Sequence, residues 1–140
     1  MRRRRWIACG AALCSPFVGG GVLAQAAVEE RISLDDARRL HQAGSAVLID
    51  IREPEEHATG VAAGVRLLPM SQLNQRLREI PVDSKVPVLL ICRTQNRSSA
   101  TLRALRKQFG EQSYAHVRFV HGGMSEWAQR GWPMVSPAKP

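Results

Sequence analysis

The sequence predicts an α/β domain with a central, mainly parallel sheet flanked by helices. Three observations carry that expectation. Short apolar runs, VLIDI at 47–51 and VPVLLIC at 86–92, have the length of strands. They lack a polar face, which suits strands covered on both sides. Between the runs lie segments with apolar residues at helical spacing. Glycine and proline punctuate the boundaries. Strands alternating with helices build parallel sheets, and such sheets bind ligands beyond the carboxyl ends of their strands.

The elements follow in chain order. Ser33 is placed to cap a helix through LDDARRLHQAG, with Asp35 and Asp36 in its first turn and Gly44 at its end. Val47 to Ile51 is the first buried strand. REPEEHATG is polar and predicts one helical turn after Pro54. VRLLP is a second short strand. MSQLNQRLREI carries Met70, Leu73, Leu77 and Ile80 at helical spacing, and Pro81 stops it. Val86 to Cys92 is the strongest strand. A helix from Ser98 to Phe109 follows, with Leu102, Leu105 and Phe109 on one stripe and Gly110 at its end. His116 to His121 predicts a further strand, Gly122-Gly123 breaks it, and MSEWAQRG makes a last short helix. The tail from Trp132, with Pro133, Pro137 and Pro140, is expected to be irregular.

The chain has 140 residues, so one domain is expected. Residues 1–26 read MRRRRWIACGAALCSPFVGGGVLAQA. Arginines, a short apolar stretch and a closing Ala-Gln-Ala have the layout of a secretory signal peptide. The apolar part is short and interrupted for a membrane span, although an uncleaved anchor is the alternative. Cleavage there leaves a domain at 27–140, periplasmic or secreted, with no stable membrane insertion. It also removes Arg2, Arg3, Arg4 and Arg5 and no acidic residue, so 20 basic residues become 16 against 12 acidic, and the net charge falls from +8 to +4. A balance that mild suits small anionic ligands and gives no reason to expect nucleic acid.

Cys9 and Cys14 leave with the signal, so Cys92 is the one cysteine of the remaining domain. An unpaired cysteine in an exported chain is either a reactive thiol or a small buried hydrophobe. Its surroundings, ICRTQNRSSA, decide between these. Cys92 ends a strand and precedes a helix whose first N–H groups have no internal partner. The helix dipole adds partial positive charge there, and Arg93 and Arg97 add whole charges. These effects favour a thiolate, which is the nucleophilic form, and any anion built on its sulfur.

At this point the chain resembles the single-domain rhodaneses, the thiosulfate sulfurtransferases, over roughly Ile32 to Met134. Three pieces carry the resemblance: LIDIREPEEHATG with GVRLLP, ICRTQNRSSA, and HGGMSEWAQRGWPM. They are similar to the family's Asp-x-Arg-x-x-x-Glu segment, its catalytic loop and its closing Gly-Gly-x-x-x-Trp signature. The resemblance implies a rhodanese-like fold and Cys92 as the nucleophile that carries sulfur as a persulfide. It implies that Arg93, Thr94, Gln95, Asn96, Arg97 and Ser98 form the cradle for the substrate. Asp50 and Arg52 match the family's strand-end pair, which supports the loop. A small anionic sulfur donor such as thiosulfate is implied, with cyanide, a thiol or a thioredoxin-like protein as acceptor and no cofactor. Two positions depart from the family pattern. Gln95 stands where family loops often have glycine, so the loop must avoid positive φ or bear strain. Val61-Ala62 replaces the pair, often His-Ile, that usually follows the glycine equivalent to Gly60.

Two other readings compete. A cysteine phosphatase or arsenate reductase has five residues between cysteine and arginine, whereas Cys92 and Arg97 are separated by Arg93, Thr94, Gln95 and Asn96, and the loop offers no general-acid aspartate. A persulfide carrier serving a protein partner would share the fold and the cysteine. The remaining notable residues have plain structural readings. His41, His57, His116 and His121 lack metal-ligand spacing, so no metal is expected. His121 lies near a strand end and so near the pocket, although a hydrogen-bonded structural role is the plainer reading. Trp127 reads as core, Trp132 as its cap, and Arg103, Arg106 and Lys107 as the solvated face of a helix.

Overall fold

A computed structural model describes residues 29–137, so the signal-peptide expectation for residues 1–26 lies outside the described residues. The strands are β1 (Arg31–Ile32), β2 (Val47–Asp50), β3 (Arg66–Leu67), β4 (Val88–Ile91) and β5 (Val117–Val120). The α-helices are α1 (Leu34–Gln42), α2 (Pro54–His57), α3 (Leu73–Arg76), α4 (Asn96–Phe109) and α5 (Gly123–Gln129). The strands form one sheet in the order β1-β5-β4-β2-β3, and every pair in it is parallel. The α/β sandwich expected from the sequence is therefore present.

The centre of the sheet explains why β4 is so apolar. It pairs with β2 on one side and β5 on the other, and all four of its residues are buried. Alternate side chains feed two cores. Val88, Leu90 and Cys92 join Ile49, Leu102, Leu105 and Val117 on the α4 side. Leu89 and Ile91 join Leu48, Ala37, Met124 and Trp127 on the side of α1 and α5. Each such Leu or Ile contributes about 1.5–3 kcal/mol on full burial. Ser33 caps α1 as expected: its Oγ accepts the N–H of Asp36 at 3.1 Å.

Four expectations change. The segment from Met70 to Ile80 is not one helix. It is a 3₁₀ turn at Met70–Gln72, the single turn α3, and another 3₁₀ turn at Leu77–Glu79. The three-residue steps from Met70 to Leu73 and from Leu77 to Ile80 fit the tighter 3₁₀ repeat. Arg76 holds the bend, reaching back to the Leu67 carbonyl at 2.9 Å and forward to Glu79 at 2.6 Å. Second, α4 begins at Asn96, two residues before Ser98. Third, Phe109 is 42% exposed rather than core, and it meets Tyr114 edge-on with centroids 5.9 Å apart. Fourth, Arg106 is buried and not on a solvated face. Position 106 follows Leu102 by one helical turn, so it lies on the inward stripe. Its guanidinium donates to the Val117 carbonyl at 3.0 Å and approaches Glu30 and Glu111 at 3.7 and 3.6 Å.

Two-residue β1 and the 3₁₀ turn at Gln112–Tyr114 are too short to leave a pattern in the sequence. The tail is partly ordered by pairing. Val61 and Val135 exchange two backbone hydrogen bonds, at 2.9 and 2.8 Å. The bridge uses one of the two positions that depart from the family pattern. Trp127 is buried and its Nε1–H donates to the Pro133 carbonyl at 3.1 Å. Trp132 packs edge-on against Trp127, and the guanidinium groups of Arg38 and Arg130 lie over its ring, 4.3 and 4.9 Å from the centroid.

The burial of Arg106 makes a measurable difference. Arg106→Ala is expected to cost about 2–4 kcal/mol in urea unfolding, because it opens a cavity and strips a charged donor from buried carbonyls. A loss below about 0.5 kcal/mol, the usual result for a solvated helix face, would refute the buried placement.

Candidate active site

The site is built where the two central strands end side by side. Asp50 and Ile91 are neighbours in the β2–β4 register, and the N–H of Ile51 bonds the Ile91 carbonyl at 2.9 Å. One residue further, Cys92 turns into the α4-side core and is 1% exposed. It is the only free cysteine among the described residues. The loop then closes within three residues, because α4 starts at Asn96. Ser98, fully buried, brings its Oγ to 3.4 Å from Cys92 Sγ and donates to the Gln95 carbonyl at 3.1 Å. The first turn of α4 stands directly after the loop, with N–H groups that lack acceptors within the helix.

The outer side of the loop is fixed by α5. The N–H groups of Met124 and Ser125 donate to the carbonyls of Cys92 and Arg93, both at 2.8 Å. Such close approach explains the Gly122-Gly123 pair. Gly123 has φ +61°, and a Cβ there would overlap the carbonyl oxygens of Cys92, Arg93 and Thr94. Gly122 has φ +84°, and a Cβ there would meet Glu126. From the sequence the pair reads as a strand break; in the structure it is also the clearance that lets a helix seat on the loop.

The other side is fixed by ion pairs. Asp50 is fully buried and Arg52 nearly so. Asp50 Oδ1 accepts the Arg52 backbone N–H at 3.0 Å, and Oδ2 accepts Nη2 at 2.7 Å. Arg52 also donates to the Gly60 carbonyl at 2.9 Å and the Glu56 carbonyl at 3.3 Å, which ties the end of β2 to the turn around α2. His57 is buried beside this pair, its Nε2 3.5 Å from Asp50 Oδ1. Breaking such a pair leaves an uncompensated buried charge.

Arg97 is not left open toward the loop mouth. Glu56 grips its guanidinium with both oxygens, each at 2.6 Å. The hydrogen bonds from Arg97 hold the Glu56 carboxyl down at about 2. The same pairing raises Arg97 above its ordinary value. Sequence reasoning missed Glu56. It is one of three carboxylates in REPEEH, and the Asp-x-Arg-x-x-x-Glu spacing from Asp50 and Arg52 falls on it, but that spacing names no partner for it. Of the two loop arginines, Arg93 is the exposed one, and no carboxylate of a described residue pairs with it. It lines a cleft of about 480 Å³ between α2 and α5, with Glu55, Met124, Ser125 and Met134.

Thr94 and Asn96 are exposed on the loop. Gln95 has φ −157°, so the loop avoids the positive φ that glycine would permit. His121 is exposed and lines a separate depression with Arg31 and Arg118, away from Cys92. His41 and His116 each contact a backbone carbonyl at 2.7 Å, those of Ala63 and Pro81. Among the described residues no cluster of His, Cys, Asp and Glu has the arrangement of a metal site. No helix among them is long and apolar enough to cross a membrane.

The Glu56–Arg97 pair predicts a pH signature. Glu56 is depressed in the folded state to about 2 from an ordinary 4.5. Its contribution is therefore complete above about pH 4.5 and fades as the pH falls toward 2. Because the pair is partly solvated, its worth is about 1–2 kcal/mol. Wild type should exceed Glu56→Gln in stability by this amount at pH 6, and the gap should close near pH 2. A gap that stays constant from pH 6 to pH 2.5 would show that the pair is not its source.

The rhodanese-like domain pattern matches residues 33–130. A sulfurtransferase of Allochromatium vinosum is 35% identical over 101 residues, which covers 72% of this chain and 89% of that protein. A rhodanese-related protein of Thermoplasma volcanium is similar with a TM-score of 0.62 and 26% identity, over 77% of this chain and 99% of that one. The polysulfide-sulfur transferase homodimer of Wolinella succinogenes gives 0.61 and 26%, over 80% and 82%. The family pattern spans both strand ends, the cysteine loop and the glycine pair that seats against it, and the chain belongs to the rhodanese-like domain family.

Proposed function

We propose that the protein is a sulfurtransferase that takes sulfane sulfur from thiosulfate or a similar anionic donor onto Cys92 and passes it to cyanide or a thiol. The observation that carries this reading is the position of Cys92, at the end of a central parallel strand, beneath the first turn of α4, with a buried hydroxyl at 3.4 Å. The names of the similar proteins from Allochromatium and Wolinella support a sulfur-transfer activity.

The Cys92 thiolate attacks the outer sulfur of thiosulfate. A new S–S bond forms at Sγ, the S–S bond of the donor breaks, and sulfite departs with the electron pair. The acceptor, as thiolate or cyanide, then attacks the outer sulfur of the persulfide and returns Cys92 as thiolate. No net oxidant or reductant is needed. The first turn of α4 and the Ser98 hydroxyl favour the anion in each state. Arg93, exposed on the loop one residue after Cys92, meets the incoming anion. Arg97 acts on the site from its pair with Glu56, as structural support. That engagement also weighs against a phosphatase, which needs its loop arginine for the phosphate. Export to the periplasm or beyond, and a protein thiol as the acceptor in place of a small one, are parts of the same proposal that rest on residues 1–26 and on the exposed loop.

Intact-protein mass spectrometry tests the cycle. The wild type should gain one sulfur atom from thiosulfate and lose it to cyanide, and Cys92→Ser should do neither. Absence of sulfur on a reduced wild-type Cys92 would remove the reading. Arg93→Ala should raise KM for thiosulfate about tenfold, the effect of losing one charge-assisted bond, and leave kcat nearly unchanged. An unchanged KM would take Arg93 out of donor binding.

A further inference from the structure

Gln95 occupies the cap position of α4, but its side chain makes no capping bond to its own helix. Its side chain instead crosses to the turn before α5, where Oε1 accepts the N–H of Gly122 at 3.2 Å. Three N–H groups of this turn are thereby committed to the cysteine loop: Gly122 to the Gln95 side chain, Met124 to Cys92 and Ser125 to Arg93. The backbone of Gln95 faces the sulfur side. Its carbonyl accepts the Ser98 hydroxyl at 3.1 Å and the Ser99 N–H at 2.9 Å, and Ser98 Oγ is the polar atom 3.4 Å from Cys92 Sγ. One residue thus joins the glycine turn, through its side chain, to the hydroxyl beside the nucleophile, through its carbonyl.

We infer that Gln95 is a positioning residue: its amide ties the Cys92 loop to the Gly122–Gly123 turn and so sets where Ser98 meets the sulfur. The inference rests on the sulfurtransferase reading for its kinetic consequence, but not for the tether itself. Glycine at this position would have neither the side chain nor the tether. The loop here therefore trades backbone freedom for a fixed strut. A tether of this kind acts on the rate of sulfur transfer within the bound complex and has no direct effect on donor affinity.

Two variants separate the tether from its surroundings. Gln95→Met keeps the length and loses the acceptor; Gln95→Glu keeps the acceptor and adds a charge. Hydrogen exchange at the Gly122 amide should quicken about fivefold or more in the Met variant and return to the wild-type range in the Glu variant, as expected for one hydrogen bond lost and restored. Single-turnover sulfur loading at saturating thiosulfate should slow about fivefold in the Met variant, with donor affinity changed less than twofold. The Glu variant should recover the saturated rate while binding thiosulfate more weakly, because its charge opposes the anion. An unchanged Gly122 exchange in the Met variant would overturn the tether. Faster exchange with an unchanged saturated rate, or a Glu variant that restores exchange but not rate, would overturn its positioning role. Should the wild type accept no sulfur from thiosulfate, the sulfurtransferase reading fails separately. Alkylation of Cys92 by neutral iodoacetamide then decides the inference: a changed rate in the Met variant supports it and an unchanged rate overturns it.

Discussion

The contact between Gly123 and the carbonyls of the cysteine loop is the constraint on which the site depends. A tight loop between a strand end and a helix start has carbonyls that neither element satisfies. Here the N-terminal N–H groups of α5 take the carbonyls of Cys92 and Arg93 at 2.8 Å. The helix can come that close only because position 123 has no side chain. Trp127, one turn further along α5, is buried in the core beneath the sheet. The helix is thus anchored at one end by an aromatic ring and at the other by the loop it stabilises.

The opposite flank uses charge where α5 uses backbone. Asp50 anchors Arg52, Arg52 holds the carbonyls of Glu56 and Gly60, and the Glu56 side chain grips Arg97 at the start of α4. Each step moves outward from a fully buried carboxylate to a half-exposed pair. The buried end supplies rigidity at a high desolvation cost, and the outer end is more weakly held. The loop therefore lies between a backbone clamp and an ionic one, and its one unengaged cation, among the described residues, is Arg93.

Much of this was legible in the sequence. The apolar runs of β2 and β4 disclosed a doubly covered sheet, because neither run alternates apolar with polar residues. The junction at Cys92 was legible as a candidate site, because a strand end, an unpaired thiol and a helix start coincide there. Asp50 was legible as a buried carboxylate because it sits inside an apolar run and Arg52 follows. Glu56 was marked by its place in the Asp-x-Arg-x-x-x-Glu segment, but its role was not legible, since that comes from a partner 41 residues away. Arg106 was misplaced because a long cationic side chain on the inward stripe looks the same in sequence as one beside it on the outward face. The bend from Met70 to Ile80 was hidden because three-residue steps occur in both α and 3₁₀ spacing.

The order of the chain has a consequence for how the thiol is treated during folding. The partners that fix the loop around Cys92 come from both directions: Glu56 from upstream, through Arg97, and Gly122 to Ser125 from downstream. The segment that completes the loop, α5, follows the other described helices in chain order. Until β5 has joined the sheet and α5 has docked, the cysteine has a strand end but no finished enclosure, and its thiol is open to mixed disulfides and oxidation. Contacts this distant in sequence also form slowly, since large loops must close before they are rewarded. In an oxidising compartment, such an exposure window would make reducing capacity, or escort by another thiol, most valuable in the interval before the last turn of the fold is in place.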